Sequence, residues 1–349
     1  MSIVYRSLGV LMLVISAAHA EDNCRAGIEA FRQRALPKAE ELLKDCLPST
    51  TKVEPYLALA ALYQSQSNAD ALYSVALDGL AKFPEEQRFY LAVATHDGRE
   101  RRYPHAIETL EAAIVRWPKE PRIQTLLASA HFGLGKDLLN AGKAGAAVPH
   151  LRRAVSLSPN DIEAQMNLGR ALHNAYLRTE ALTVFDALVA RTPPVPLSYF
   201  HRGMCRYSMG EFTLAIDDLS KQLEQEPSYP PAQLLRGMSR MALGQWQEAA
   251  QDLDAAAGAM PENPEAQFAH ARTLIEIGQL ELGEEILRKA IELNTDDPAP
   301  LNALIRLLVR QGRRDEARAL APKAAAMSKK ERTAAPGEIR FESAVSGKP

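Results

Sequence analysis

The sequence is short of aromatic residues, of cysteine and of any surplus charge. Phe, Trp and Tyr make up 6% of its 349 residues, and only three cysteines occur. Alanine and leucine fill the long stretches instead, which favours helix over the aromatic and β-branched composition of sheets. There is no basic excess: 41 Lys and Arg stand against 43 Asp and Glu. A nucleic-acid binder needs that excess to neutralise phosphates, so that class is excluded. Hydrophobic and charged contents of 46% and 24% are ordinary for a folded chain and exclude wholesale disorder. Beyond the first 20 residues nothing is apolar enough to span a bilayer, which takes about 20 consecutive apolar residues.

Motifs that carry chemistry are missing too. There is no His-Glu-x-x-His, no pair of Cys-x-x-Cys, no Gly-rich phosphate loop and no Gly-x-Ser-x-Gly elbow. His96, His105, His131, His150, His173, His201 and His270 share no metal-ligand spacing on one helix face. The sequence therefore predicts no enzyme, no cofactor and no metal.

What is present begins with an address. Arg6 precedes the apolar run Leu8 to Ile15, and Ala18-His19-Ala20 places small residues around a cleavage point. Residues 1–20 read as a signal peptide cut after Ala20. That predicts a periplasmic protein, with secretion as the alternative. Glu21-Asp22-Asn23 ahead of Cys24 does not fit a lipid-modified cysteine. In an exported chain, Cys24 and Cys46 fall early and late in one helical hairpin, where antiparallel helices bring them together. A disulfide between them is expected. Cys205 reads as a small buried residue.

A period of 34 residues organises the rest. Pro84, Pro118, Pro159, Pro193, Pro227 and Pro261 form a grid with steps of 34, 41, 34, 34 and 34. Gly210, Gly244, Gly278 and Gly312 form another, Gly169, Gly203 and Gly237 a third, and Ala181, Ala215 and Ala249 a fourth. Several grids with one period mark a stack of repeated units. Each unit reads as two amphipathic helices closed by glycine and reopened by proline. The recurring small residues, Gly237 and Ala249 for example, fall where the two helices must approach closely.

These residues resemble the tetratricopeptide repeat family. Residues 162–195 supply Leu168, Gly169, Leu172, Ala181, Phe185, Leu188 and Pro193, and residues 196–229 supply Tyr199, Gly203, Ala215, Leu219 and Pro227. The resemblance implies an all-α fold, an α-α superhelix or solenoid of about nine helical hairpins. The units are expected at about 21–52, 53–86, 87–120, 121–161, 162–195, 196–229, 230–263, 264–297 and 298–329, ahead of a disordered tail at 330–349. The 41-residue step places seven extra residues around Gly133 to Gly145. They form either a tolerated loop or one added turn on each helix of a protruding hairpin.

Arg202 and Arg236 each precede an aspartate by 16 residues, Asp218 and Asp252. Ion pairs across each hairpin are expected there. Positions 2, 5, 9, 12 and 13 of each unit share one face of the first helix. The resemblance implies that this face lines a concave groove. It carries Met166, Arg170, His173, Phe200, Met204, Tyr207, Leu234, Met238, Met241, Phe268, Arg272 and Ile275, followed by Arg306 and Arg310. A methionine-rich and aromatic stripe edged with arginine suits segments of other proteins as partners. Some family members clamp a peptide carboxylate with Lys, Arg and Asn. Asn167 stands at one such place, but Thr125, Ser129, Leu197 and His201 stand at the others, so that clamp is not expected. The function predicted is an exported interaction scaffold, with assembly or secretion of cell-envelope components as its expected setting. A chaperone-like holdase for unfolded exported chains is the alternative.

Overall fold

One residue with a positive φ closes the turn inside each helical hairpin. In the computed structural model, which describes residues 21–333, these residues are Arg34, Ser67, Arg101, Gly142, Tyr176, Gly210, Gly244, Gly278 and Gly312. Five are glycine, which adopts this conformation with no Cβ penalty. Gly142 to Gly312 keep the 34-residue step, and Tyr176 takes the place in that series where glycine is missing. Residues 1–20, read above as a signal peptide, and the chain beyond 333 lie outside the described residues.

Eighteen helices, and no strand, occur among the described residues. They follow in chain order as nine successive pairs. These are α1 (residues 21–32) and α2 (Leu36–Cys46), α3 (Glu54–Ser65) and α4 (Ala69–Lys82), and α5 (Gln87–Arg99) and α6 (Tyr103–Arg116). Next come α7 (Pro121–Asn140) and α8 (Ala144–Leu157), α9 (Ile162–Asn174) and α10 (Arg178–Val189), and α11 (Ser198–Ser208) and α12 (Phe212–Gln225). The last are α13 (Pro230–Ala242) and α14 (Trp246–Ala259), α15 (Pro264–Glu276) and α16 (Leu280–Leu293), and α17 (Pro298–Arg310) and α18 (Arg314–Thr333). Proline opens α7, α13, α15 and α17, where its missing N–H has no helical partner to lose. Asn68, Asn263 and Asp297 cap α4, α15 and α17 by accepting backbone N–H bonds.

The chain divides into two compact units, one up to Ala171 and one from Leu172. Each is held by large apolar side chains from successive helices. In the first unit Leu59, Phe89, Leu110, Ile123 and Leu127 are almost completely shielded. In the second, Phe200, Leu219, Leu253, Leu287 and Leu308 are.

Close approach within a hairpin has a specific cause. A Cβ added at Gly237 would lie 2.6 Å from Leu253 Cγ, and one at Gly135 2.6 Å from Leu151 Cγ. The alanines opposite, Ala249 and Ala147, are fully buried. Leucine fills the space that the glycine leaves, so the two helices interlock.

The seven extra residues are not where the sequence pattern put them. α7 has 20 residues against 13 in α5, α13, α15 and α17, while α8 has the 14 of α6, α12, α14 and α16. Gly135 meets Leu151 sixteen residues later, as Gly237 meets Leu253, so the register from Gly135 onward is regular. All seven therefore lengthen the first half of α7. They are neither a loop nor a turn on each helix. Seven residues make about two helical turns and keep the same face inward. The added turns bury Ile123 and Leu127 beside Tyr90, Ala106 and Leu110. At the other end, α18 runs on through Thr333, four residues into the segment expected to be a tail.

Candidate functional site

In the second unit each first helix touches the next one, α11 to α13, α13 to α15 and α15 to α17, besides its own partner. This places the first helices on the inner side of that unit's curve. The stripe read from the sequence lies on these helices, but its members are not equivalent.

Phe200 and Leu234 are core residues, only 1% and 4% exposed. Phe200 packs with Ala215, Leu219 and Ala232, and Leu234 with Leu253 and Ala256. They support the stripe and cannot be offered to a partner. His173 is held by its neighbours. Its Nδ1 lies 3.4 Å from Cys205 Sγ, and burial, followed by the Arg178 charge, pushes its pKa down to about 4. Met204, Tyr207, Met238, Met241, Phe268 and Ile275 are half-buried against the clusters beneath them. Each leaves part of its side chain on the surface. Arg272, Arg306 and Arg310 are exposed, and the Arg272 guanidinium lies 5.6 Å over the Phe268 ring. In the first unit, Met166 and Arg170 are half-buried, and Arg170 donates to Asn167 Oδ1 at 3.3 Å. Asn167 itself is buried and donates to the Glu163 carbonyl at 2.9 Å, so it serves its own helix.

One group that the sequence did not single out, Glu265, lies beside the stripe and acts on Tyr207 within it. Burial, reinforced by Asp297, raises the Glu265 carboxyl above the usual range. Burial, reinforced by Glu265, raises the Tyr207 phenol. Both shifts need the proximity of α11, α15 and the start of α17, which no local pattern announces.

The arginine–aspartate pairs lie behind the stripe, between helices. Arg202 donates to Asp218 from Nε at 3.0 Å and Nη2 at 2.6 Å, and Arg236 donates to Asp252 at 2.9 and 2.6 Å. A second arginine joins each aspartate, Arg206 at 2.8 Å and Arg240 at 2.6 Å. The sequence reading missed both, although they share the 34-residue step. Arg202 also donates to Asp186 on α10 at 2.8 Å, tying one hairpin to the next.

At the start of the chain Cys24 and Cys46 form a disulfide with Cα atoms 5.3 Å apart. It joins the outer ends of α1 and α2. Cys205 is a free, fully buried thiol pushed up to about 11 by burial. Such a thiol is inert. No cluster of three or more His, Cys, Asp or Glu able to hold a metal occurs among the described residues, and none of their helices is long and apolar enough to cross a membrane.

A stack of helical hairpins with small residues at the crossings and first helices inside defines an α-solenoid. Residues 132–196 and 240–299 match tetratricopeptide repeat families. Both segments are tetratricopeptide repeats, in a chain whose other helices follow as similar pairs. A tetratricopeptide repeat and J domain-containing co-chaperone of Fusarium oxysporum f. sp. lycopersici is 37% identical over 89 residues, 24% of this chain and 17% of that protein. The match thus spans less than a fifth of the relative's length. Among solved structures, the Cut9–Hcn1 hetero-tetramer shares the fold at a TM-score of 0.52 with 14% identity, over 89% of this chain and 58% of that one. A thermophilic tetratricopeptide repeat protein of Thermus thermophilus is 25% identical, with a TM-score of 0.43, over 52% of this chain and 99% of its own. Tetratricopeptide repeat proteins bind other proteins or peptides.

Proposed function

We propose that the protein is an exported, non-enzymatic scaffold in the periplasm. It takes up segments of partner proteins along the inner face of its second unit, in assembly or secretion of cell-envelope components. The observation that carries this reading is the half-open stripe of Met204, Tyr207, Met238, Met241, Phe268 and Ile275, bordered by the exposed Arg272, Arg306 and Arg310. Apolar side chains left half-covered on a concave face gain by burial against a partner, and methionine adapts its shape to the one that comes. Export is supported by the charged, apolar and small-residue order of residues 1–20 and by the Cys24–Cys46 disulfide, which an oxidising compartment preserves.

The test is the double substitution Met238→Glu with Met241→Glu, which places two charges on the stripe. Partners cross-linked in native envelope extracts are compared between this variant and the wild type, with helical circular dichroism as the control for folding. Loss of one saturable partner is expected. Unchanged capture by a folded variant overturns the reading. The methionines also favour a second reading, a holdase for unfolded exported chains. That reading predicts weak retention of many unrelated peptides in place of a single partner.

A further inference from the structure

The first unit has a recess of its own. It opens between α3 and α5, over the start of α4, and encloses roughly 600 Å³. Leu57, Ala60, Leu72, Leu91 and Ala92 form its half-buried apolar floor. The residues on α3 and α5 recur at intervals of three and four, as one face of each helix must. Leu57 and Leu91 are 34 residues apart, and so are Ala61 and Thr95. The recess therefore continues the inner register positions into repeats that the methionine stripe does not reach.

Its charge is one-sided. Three arginines line it, Arg88, Arg99 and Arg122, and no aspartate or glutamate does. Arg88 is held by Glu86 through bonds of 2.8 and 2.9 Å. No carboxylate among the described residues pairs with the side chain of Arg99 or of Arg122, and both are exposed. Asp70, close to the edge, is engaged by His96 at 3.1 Å. The neighbouring recess, which shares Arg99, makes the contrast clear. There Arg101 is paired with Asp137, and Lys136 with Glu163 at 2.8 Å. Arg99 and Arg122 thus flank an acid-free apolar hollow with no carboxylate partner among the described residues.

We infer that this recess is a second binding site, separate from the methionine stripe, for an acidic segment of a partner protein. The segment places a Leu- or Phe-sized side chain on the floor and a carboxylate on Arg99 and Arg122. Guanidinium is suited to the carboxylate because its planar fork can give two parallel hydrogen bonds. The apolar floor supplies burial, and the unpaired charges supply selection against basic or neutral segments.

The test is panning a random dodecapeptide phage library on the full chain without residues 1–20. Enriched peptides are expected to carry Asp or Glu within three positions of Leu or Phe. The best of them, labelled with fluorescein, is then measured by anisotropy. Arg99→Ala with Arg122→Ala should weaken it at least tenfold, and Arg99→Lys with Arg122→Lys should retain more than the alanine pair. Replacing its acids by Asn and Gln should cost at least tenfold as well. Met238→Glu with Met241→Glu should leave it unchanged, which separates this site from the one proposed for the second unit. A pool with no acidic bias, or affinity unaltered by the arginine-to-alanine pair, overturns the inference. So does loss of binding in the methionine variant, which would assign the peptide to the other site. Both arginines are exposed, so the variants retain the fold, and circular dichroism checks this.

Discussion

Asp218 lies sixteen residues after Arg202 and receives its guanidinium side-on, through bonds of 3.0 Å from Nε and 2.6 Å from Nη2. Arg206, one turn further along α11, adds a third bond of 2.8 Å. The aspartate is buried and both arginines are largely so. Removing the acid leaves the shielded Arg206 without a carboxylate and Arg202 with the exposed Asp186 alone. Asp218→Ala should therefore cost about 3–5 kcal/mol in urea unfolding. Asp217→Ala, at the exposed neighbour, should stay within about 0.5 kcal/mol. Equal effects from the two would show that the network contributes nothing.

Gly237 and Gly258 should respond to alanine in opposite directions. At Gly237 the new methyl would meet Leu253 at 2.6 and 2.8 Å, and at Gly258 it meets nothing within 4 Å. Overpacking of this kind costs about 1–3 kcal/mol, more than the helix propensity that alanine gains. Gly237→Ala should lower the melting temperature, and Gly258→Ala should raise it slightly. Stabilisation at Gly237 would contradict the close crossing of α13 and α14.

Reducing the Cys24–Cys46 disulfide should loosen the first hairpin. The bridge closes a loop with a sequence separation of 22 residues. Loop entropy assigns it about 3 kcal/mol. Hydrogen exchange of residues 21–46 should rise on reduction, while α13 to α16 keep their protection. Repeat arrays contact only their neighbours, which is why the effect stays local. Uniform deprotection along the chain would refute this.

Acid should destabilise the chain before its carboxylates titrate. Burial lowers the pKa of His131, His150 and His173, the last from 6.5 to about 4. The folded state thus binds fewer protons than the unfolded one once the pH falls below 6.5. The stability that neutral histidine contributes is fully present above 6.5 and is lost as pH drops from there towards the folded values. Between pH 7.5 and 5.5, His173 should account for about 1 kcal/mol of loss. His173→Gln should flatten that part of the stability profile. An unchanged slope would mean that His173 takes up its proton equally in the folded and the unfolded chain.

Much of the architecture was written in the chain. The proline and glycine grids determine where helices stop, because glycine alone enters the left-handed region freely and proline cannot continue a ladder of N–H bonds. Arg202 to Asp218 and Arg236 to Asp252 were legible because sixteen residues is the return distance across a short hairpin, and so was the pairing of Cys24 with Cys46. Tertiary packing decided the rest. It placed the seven added residues at the start of α7, since two whole turns keep Ile123 and Leu127 on the buried side, an outcome that spacing alone leaves open. It also took Phe200 and Leu234 out of the stripe, because a helix face is wider than the part of it that neighbours leave uncovered. The hollow bordered by Arg99 and Arg122 comes from four different helices, and an unpaired charge becomes visible only when every acid that could have reached it has been placed.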